Sequence, residues 1–568
     1  MRMTMRTAIV GGLMAMGTVV PVVADTVAPA DELARTKFAV EIPDAPADYR
    51  RPKDWKPVLY PKSLSEIAKA HSKETMERAK RQLFKVRQTN AVGKYHPFGK
   101  SMDEHVCPEW FVDAKLGIFI DWGPWSVASW SPYVKGARLY PDWYEFKSRP
   151  EYKGEDSAWE YHRKNWGEDF KPDHFLDLFR GEQFDASALM RLFAECGAKY
   201  VVPFLKHHGG FCLWDCSYTF RDSVDQGAHR DFAREMADAC RAEGLKFGLY
   251  TSQAGEWDYP ILQDDGSIKM QFNCPAFPIR EYDPSDEWKA SGKIAVKDFV
   301  NDYIIPQTTE FIDKYDPDIL WYDFDWIAYA HENGSYDITA YFYNKAEGRK
   351  LVACNDRFGN GFPSEIEGRF KDASRQWLRT VRGDFFTDEW GDTADNIDPK
   401  KWHPWESCSG ISKCYGNHWM ENFDKSMVMT EAEFVVHFTD IVARGGNLLL
   451  LVNLDPKGRI SDVQRERLEQ IGAWLKRYGA AVYGTRICAP YSTKTINYTR
   501  SKDGRTVYAI VKKPAKEIVL ECDLPENCVI REVGSDAILP HRRQGKRVVV
   551  GIPDDLAMGK VAFALECK

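Results

Sequence analysis

Two aspartates set among four aromatic rings, in Leu320-Trp321-Tyr322-Asp323-Phe324-Asp325-Trp326, are the residues of this 568-residue chain best suited to do chemistry. They follow Pro317-Asp318-Ile319-Leu320, whose apolar end reads as a buried strand. A carboxylate is costly to desolvate among aromatics, so it usually has a task, and an acid beside stacking rings is what cleavage of a sugar bond needs. The plainer reading is an aspartate capping the next helix. His207-His208 adds two adjacent imidazoles directly after a second apolar run, Tyr200-Val201-Val202-Pro203-Phe204.

Residues so far apart in sequence need a scaffold that brings strand ends together. From about residue 105 to 480, strand-like runs alternate with helical segments: Gly117-Ile118-Phe119-Ile120, Tyr200 to Phe204, Phe247-Gly248-Leu249-Tyr250, Ile319 to Tyr322, Leu351-Val352-Ala353-Cys354 and Asn447 to Val452. That repetition predicts a (β/α)8-like barrel spanning 105–480. Polar residues follow the strands directly: Asp121 and Trp122, His207 and His208, Asp323, Asn355 and Arg357. The carboxyl ends of barrel strands meet on one face, so these residues are expected to converge there. After residue 480, short alternating runs such as Thr506 to Val511 and Arg547 to Val550, broken by Gly, Asp and Pro, predict a C-terminal β-sandwich over 481–568.

The amino-terminal segments read differently. Arg2 and Arg6 precede an apolar run from Ala8 to Val23, and Val22-Val23-Ala24 resembles a signal-peptidase site, so residues 1–24 are read as a signal peptide and the protein as exported, periplasmic or extracellular. No later stretch reaches the roughly 18 apolar residues of a spanning helix, so no stable membrane insertion is expected. Residues 25–104 form an arm rich in Pro, Ala and Asp followed by a charged helix with apolar spacing at Ile67, Ala70, Met76, Ala79 and Leu83.

Net charge is −7, from 77 basic and 84 acidic residues evenly mixed, so no basic stripe invites nucleic acid. Thirteen cysteines contain no paired CxxC form of a zinc site. The closest spacings are Cys212 to Cys216, Cys408 to Cys414 and Cys522 to Cys528; the set as a whole has room for one or two disulfides of open pairing, and most of the remainder read as small buried hydrophobes.

Several motifs together resemble the α-L-fucosidases of glycoside hydrolase family 29. They are Trp110 to Ile120, Trp122-Gly123-Pro124, Lys206-His207-His208 with Gly210-Phe211, Gly244 to Tyr250, Trp321-Tyr322-Asp323, Asn355-Asp356-Arg357, Gly383 to Glu389, Trp405-Glu406-Ser407-Cys408 and Gly445 to Leu450. The resemblance implies a retaining exo-hydrolase that uses no metal or cofactor and takes an oligosaccharide or glycoside. One carboxylate attacks the anomeric carbon, and a second acid protonates the leaving oxygen and then activates water. Carried onto this chain, Asp323 takes the nucleophile's place, with Asp325 as rival. Glu389 is the first choice for the acid/base and Glu406 the second, with Glu365 and Glu367 as further glutamates in a loop before them. Burial beside Phe385, Phe386 and Trp390 is expected to keep Glu389 protonated near neutrality. Sugar binding falls to His207, His208, Tyr250, Trp321, Arg357 and Trp143.

Three positions depart from the pattern the resemblance implies. Asp121 stands where a histidine is usual, Asp142 where a glutamate is usual, and Gly209 where an aspartate usually follows the second histidine. Asp121 and Asp142 belong to the wall expected to read the sugar's C4 side, and as shorter residues they leave room for a C6 hydroxyl, so an α-L-glucoside or α-L-galactoside competes with the α-L-fucoside as substrate. Two other classes compete as well. A non-catalytic carbohydrate-binding protein would have lost a catalytic carboxylate, and a metal-dependent hydrolase would have to use His207, His208 and Asp323.

Overall fold

The computed structural model describes residues 42–56, 63–132, 140–252, 255–272, 279–323, 328, 330–357, 383–389, 402–411 and 428–568. Eight parallel strands form its centre: β1 (Leu116–Asp121), β2 (Tyr200–Lys206), β3 (Lys246–Ser252), β7 (Ile319–Asp323), β8 (Ala353–Cys354), β9 (Phe386–Glu389), β10 (Trp405–Gly410) and β11 (Asn447–Asn453). Between β3 and β7 an excursion forms a small antiparallel sheet of β4 (Tyr259–Leu262), β5 (Ile268–Gln271) and β6 (Ile279–Glu281). The eight central strands are hydrogen-bonded in the order β8-β7-β3-β2-β1-β11-β10-β9. A parallel bridge between Asn355 and Phe385 joins the two outer strands, so the sheet closes on itself as an eight-stranded barrel.

Closure explains the sequence pattern. A parallel strand covered on both faces is buried throughout and reads as a continuous apolar run, as β2 and β11 do. Side chains fill the barrel, with Phe119, Phe204, Tyr250, Trp321, Phe385 and Leu449 in one buried cluster. The surrounding helices start at polar caps: Asp185 caps Ala186–Glu195 and Asp231 caps Phe232–Ala242, each accepting a backbone N–H, a device worth about 1 kcal/mol. The charged helix expected in the arm is Leu64–Val92, opened by a Ser63/Glu66 capping box. It lies along the barrel's outer helices, where Gln82 donates to Thr309 and Asp313 at 3.1 Å.

Between Arg486 and Cys567 lie a five-stranded and a three-stranded antiparallel sheet, the expected β-sandwich. It is tied to the barrel's last helices by Asn497 Nδ2 donating to Thr439 at 3.2 Å and Trp474 Nε1 donating to the Ala562 carbonyl at 2.7 Å. Eleven cysteines fall in described residues; none is in a disulfide and ten are buried. Cys274 and Cys414 lie outside the described residues. Among the described residues no helix is long and apolar enough to cross a membrane. The signal-peptide reading falls on residues outside the description.

Candidate active site

Asp323 is the last residue of β7, opposite Ser252 at the end of β3. Its Oδ2 accepts the Tyr250 hydroxyl at 2.6 Å and its Oδ1 accepts Arg357 Nη1 at 2.7 Å. The side chain keeps 14% of its surface exposed, so two donors fix the carboxylate while it stays reachable. Burial, and then the Asp323 charge, push the Tyr250 phenol well above its ordinary pKa, so Tyr250 remains a donor. Arg357 is steadied in turn: its Nε donates to Thr387 at 3.0 Å and its guanidinium lies 5.0 Å from the centre of the Trp321 ring. Asp356 holds Thr387 by accepting both its hydroxyl and its amide. The turn after β8 thus supplies the charge at the end of β7.

The histidines follow β2. Ser252 Oγ donates to the Gly255 carbonyl at 2.6 Å, which leaves it to accept from His208 Nδ1 at 2.7 Å. The proton therefore sits on Nδ1, and Nε2, 4.0 Å from Asp323 Oδ2, is the acceptor nitrogen. Burial holds the His208 pKa well below the ordinary value, with further lowering by His207, Lys206 and Arg357, so the ring is neutral. His207 Nε2 lies 3.2 Å from Asp142 Oδ2. Trp143 and Trp257 set their rings 5.1 and 5.4 Å from His208 at steep angles. Beneath this turn Lys293 and Lys206 pair with the buried Glu256 at 3.0 and 3.6 Å. Gly210 fits here for two reasons: its φ is +79°, and a Cβ on it would run into the Glu256 carboxylate.

Asp121 ends β1, buried, and accepts Trp125 Nε1 at 2.7 Å. The Trp125 ring lies 5.0 Å from His207, so Asp121, Trp125, His207 and Asp142 form one continuous wall. Among the described residues no group of three or more His, Cys, Asp or Glu is arranged to hold a metal ion. His207 and His208 turn to different partners, Asp142 and Ser252.

The two acid/base candidates sit in different places. Glu406, second residue of β10, is fully buried; its Oε1 accepts Trp321 Nε1 at 2.9 Å and its Oε2 accepts the Tyr200 hydroxyl. Burial pushes its pKa up to about 7. Both oxygens are engaged inside the barrel, so proton delivery to a leaving group at the mouth would need it to leave both donors. Glu389 ends β9, as Asp323 ends β7, and its side chain lies outside the described residues. Asp325, Glu365, Glu367 and Trp390 also lie outside them.

The structure brings together Asp121, Asp142, Trp143, His207, His208, Tyr250, Trp321, Asp323 and Arg357. It turns Trp122 away, into an outer layer against Phe179, Phe184 and Phe232, because its Nε1 donates to the Asp455 carbonyl. Asn355 ties β8 to β7 by two bonds with the Tyr322 backbone and does not face the site. Sequence reasoning missed Trp125, Ser252, Trp257 and Thr387. The period of two from Tyr250 was the available signal for Ser252.

The chain is similar to known proteins over the same region. A family model described as alpha-L-fucosidase matches residues 82–480. The plasma alpha-L-fucosidase of Pongo abelii is 31% identical over 427 residues, 74% of this chain and 79% of that protein. The tissue alpha-L-fucosidase of Homo sapiens is 28% identical over 448 residues, covering 78% and 83% respectively. The crystal structure of Thermotoga maritima alpha-fucosidase in complex with fucose superimposes with a TM-score of 0.63 at 31% identity, covering 84% of this chain and all of that one. The closed barrel, the strand-end carboxylate and a match over most of the chain agree: this glycoside hydrolase belongs to the α-L-fucosidase family, glycoside hydrolase family 29.

Proposed function

We propose that this chain removes terminal α-L-fucose from glycosides by double displacement, with Asp323 as nucleophile and Glu389 as acid/base. The observation that carries the reading is the Asp323 carboxylate, fixed at the end of β7 by Tyr250 and Arg357 yet still reachable. In the first step an Asp323 oxygen bonds to the anomeric carbon while Glu389 gives its proton to the departing oxygen. Glu389, now a carboxylate, then takes a proton from water, whose oxygen displaces Asp323 from the sugar. Tyr250 and Arg357 stabilise the carboxylate that returns. Neutral His208 offers Nε2 to a sugar hydroxyl, and the indoles of Trp143 and Trp321 supply apolar faces.

The assignment of Glu389 is supported by its place at the end of a barrel strand; the competing Glu406 is supported by its raised pKa and opposed by its enclosure. A second reading concerns the sugar. Asp121 and Asp142 line the wall as buried carboxylates, an acceptor-rich surface that supports action on an α-L-galactoside or α-L-glucoside beside the fucoside. We also propose export, on the strength of the basic and then apolar residues 1–24.

The deciding experiment follows hydrolysis of an aryl α-L-fucoside by proton NMR. Release of α-L-fucose before mutarotation is expected. Initial release of the β anomer, or no cleavage, would overturn the mechanism.

A further inference from the structure

Gly209, one residue past His208, has a backbone that any L-residue adopts, yet a Cβ there would fall on Oε2 of Glu145, well inside van der Waals contact. A side chain at 209 would therefore have to displace the Glu145 carboxylate. That carboxylate comes from the short helix Tyr144–Lys147, immediately after Trp143, and lies 3.6 Å from each of two buried guanidiniums, Arg149 and Arg221. Arg221 is itself anchored to the Gly209 carbonyl, to Asp173 and to the Ser291 carbonyl. Glu145 is thus drawn into the space a residue at 209 would fill.

The same carboxylate lines a cavity of about 20 Å³ with Trp125, Asp142, His207, Gly209 and Trp257. Asp142 is 5% exposed; its Oδ2 faces His207, and its Oδ1 is buried with no hydrogen-bond partner among the described residues. A buried carboxylate oxygen without a donor is costly, and a space above roughly 10–15 Å³ holds one water-sized group. Two carboxylates offer only acceptors, so the occupant must donate.

We propose that Glu145 is a specificity-determining residue of this sugar site: with Asp142 it forms an acceptor-only niche beside His207 that takes one O–H donor. The donor is either a bridging water, whose two hydrogens serve both carboxylates, or a substrate hydroxyl. The inference rests on the hydrolase reading above and deepens it, because the niche adjoins the wall that holds His207.

Glu145→Gln keeps the size of the side chain but replaces an acceptor with a donor. It is expected to lower kcat/KM roughly ten- to thirtyfold, mostly through KM, with Tm nearly unchanged. Aryl α-L-fucoside and aryl α-L-galactoside narrow the source: a larger loss on the galactoside identifies its additional C6 hydroxyl, and equal losses on both identify a water or a hydroxyl the two sugars share. A variant within about twofold of wild type on both substrates overturns the proposal. An exchange supplies the second test. Gly209→Asp is expected to displace Glu145 and to impair activity, and Glu145→Gly in that background to recover about tenfold or more; absence of recovery overturns the proposal. If the wild-type protein cleaves neither glycoside, the fucoside and galactoside readings of the proposed function fail. Calorimetric binding of L-fucose and L-galactose to wild type and Glu145→Gln then tests the niche alone, and unchanged affinity for both sugars overturns it.

Discussion

The indole of Trp321 donates to Glu406 at 2.9 Å, and two residues further along the same strand Asp323 ends at the barrel mouth. One tryptophan therefore stands between two acids with opposite surroundings. Asp323 has a charged partner and a partly exposed face, whereas Glu406 has only neutral donors and no exposure. Strand geometry puts residues i and i+2 on one face, so the separation is built into β7 itself.

Glu406 should make stability pH-dependent. Burial raises its pKa from 4.5 to about 7, so the folded protein holds a proton that the unfolded chain has released. Its contribution is full below pH 4.5 and is lost as pH rises through 7, at a cost of roughly 3 kcal/mol once complete. Glu406→Gln removes this titration. Calorimetric melting of wild type and variant at pH 5 and pH 8 should show the variant gaining relative stability at the higher pH, by a few degrees in Tm. A constant difference between the two would contradict the assigned titration.

Asp323→Gly should abolish nearly all turnover, by roughly three or more orders of magnitude, with the fold retained. Azide is small enough to attack in place of the missing carboxylate, and it should restore part of the rate and yield a β-fucosyl azide. Near-normal activity, or comparable loss only in Asp325→Ala, would move the nucleophile elsewhere.

Leaving-group dependence separates the two acid candidates. A missing general acid harms substrates with poor leaving groups far more than activated aryl glycosides, by about a hundredfold or more. Glu389→Ala is expected to show that contrast. Glu406→Gln, acting only through Trp321 and Tyr200, is expected to affect both substrate classes alike. The reverse result would transfer the role to Glu406.

Much of this architecture was legible in the residues because burial on both faces leaves an apolar run: β1, β2, β3, β7 and β11 all coincide with such runs, within one or two residues at each end. β9 and β10 have no such signature. Their buried positions carry Thr387, Asp388, Glu406, Ser407 and Ser409, polar groups whose burial depends on partners from distant strands. β8 is only two residues long because Asn355 and Asp356 turn the chain toward β7 and β9. Asp323, His207 and His208 stood out because polar residues ending buried strands are costly to place without purpose. Glu145 did not, since its approach to Gly209 follows from two arginines, one of them far along the chain.

The last prediction concerns Asp121 and Asp142. A histidine donates or accepts, whereas an ionised aspartate only accepts, and both aspartates are short. Asp121 spends one oxygen on Trp125 and Asp142 spends one on His207, which draws both carboxylates toward the wall. A sugar hydroxyl that loses a charged partner forfeits roughly 1.5–3 kcal/mol, about ten- to a hundredfold in kcat/KM, enough to reverse a preference between C4 epimers. Wild type is therefore expected to act weakly on aryl α-L-fucoside relative to family members carrying His and Glu there, and to gain on the C4-epimeric α-L-glucoside; the volume left by the two shorter side chains also admits the C6 hydroxyl of an α-L-galactoside, which fucose lacks. Asp121→His combined with Asp142→Glu should raise kcat/KM on the fucoside; because the two sites share the His207 wall, the pair should exceed the sum of the single changes. A wild-type protein that already prefers the fucoside about tenfold over both other α-L-hexosides would refute the altered pocket and leave a plain α-L-fucosidase.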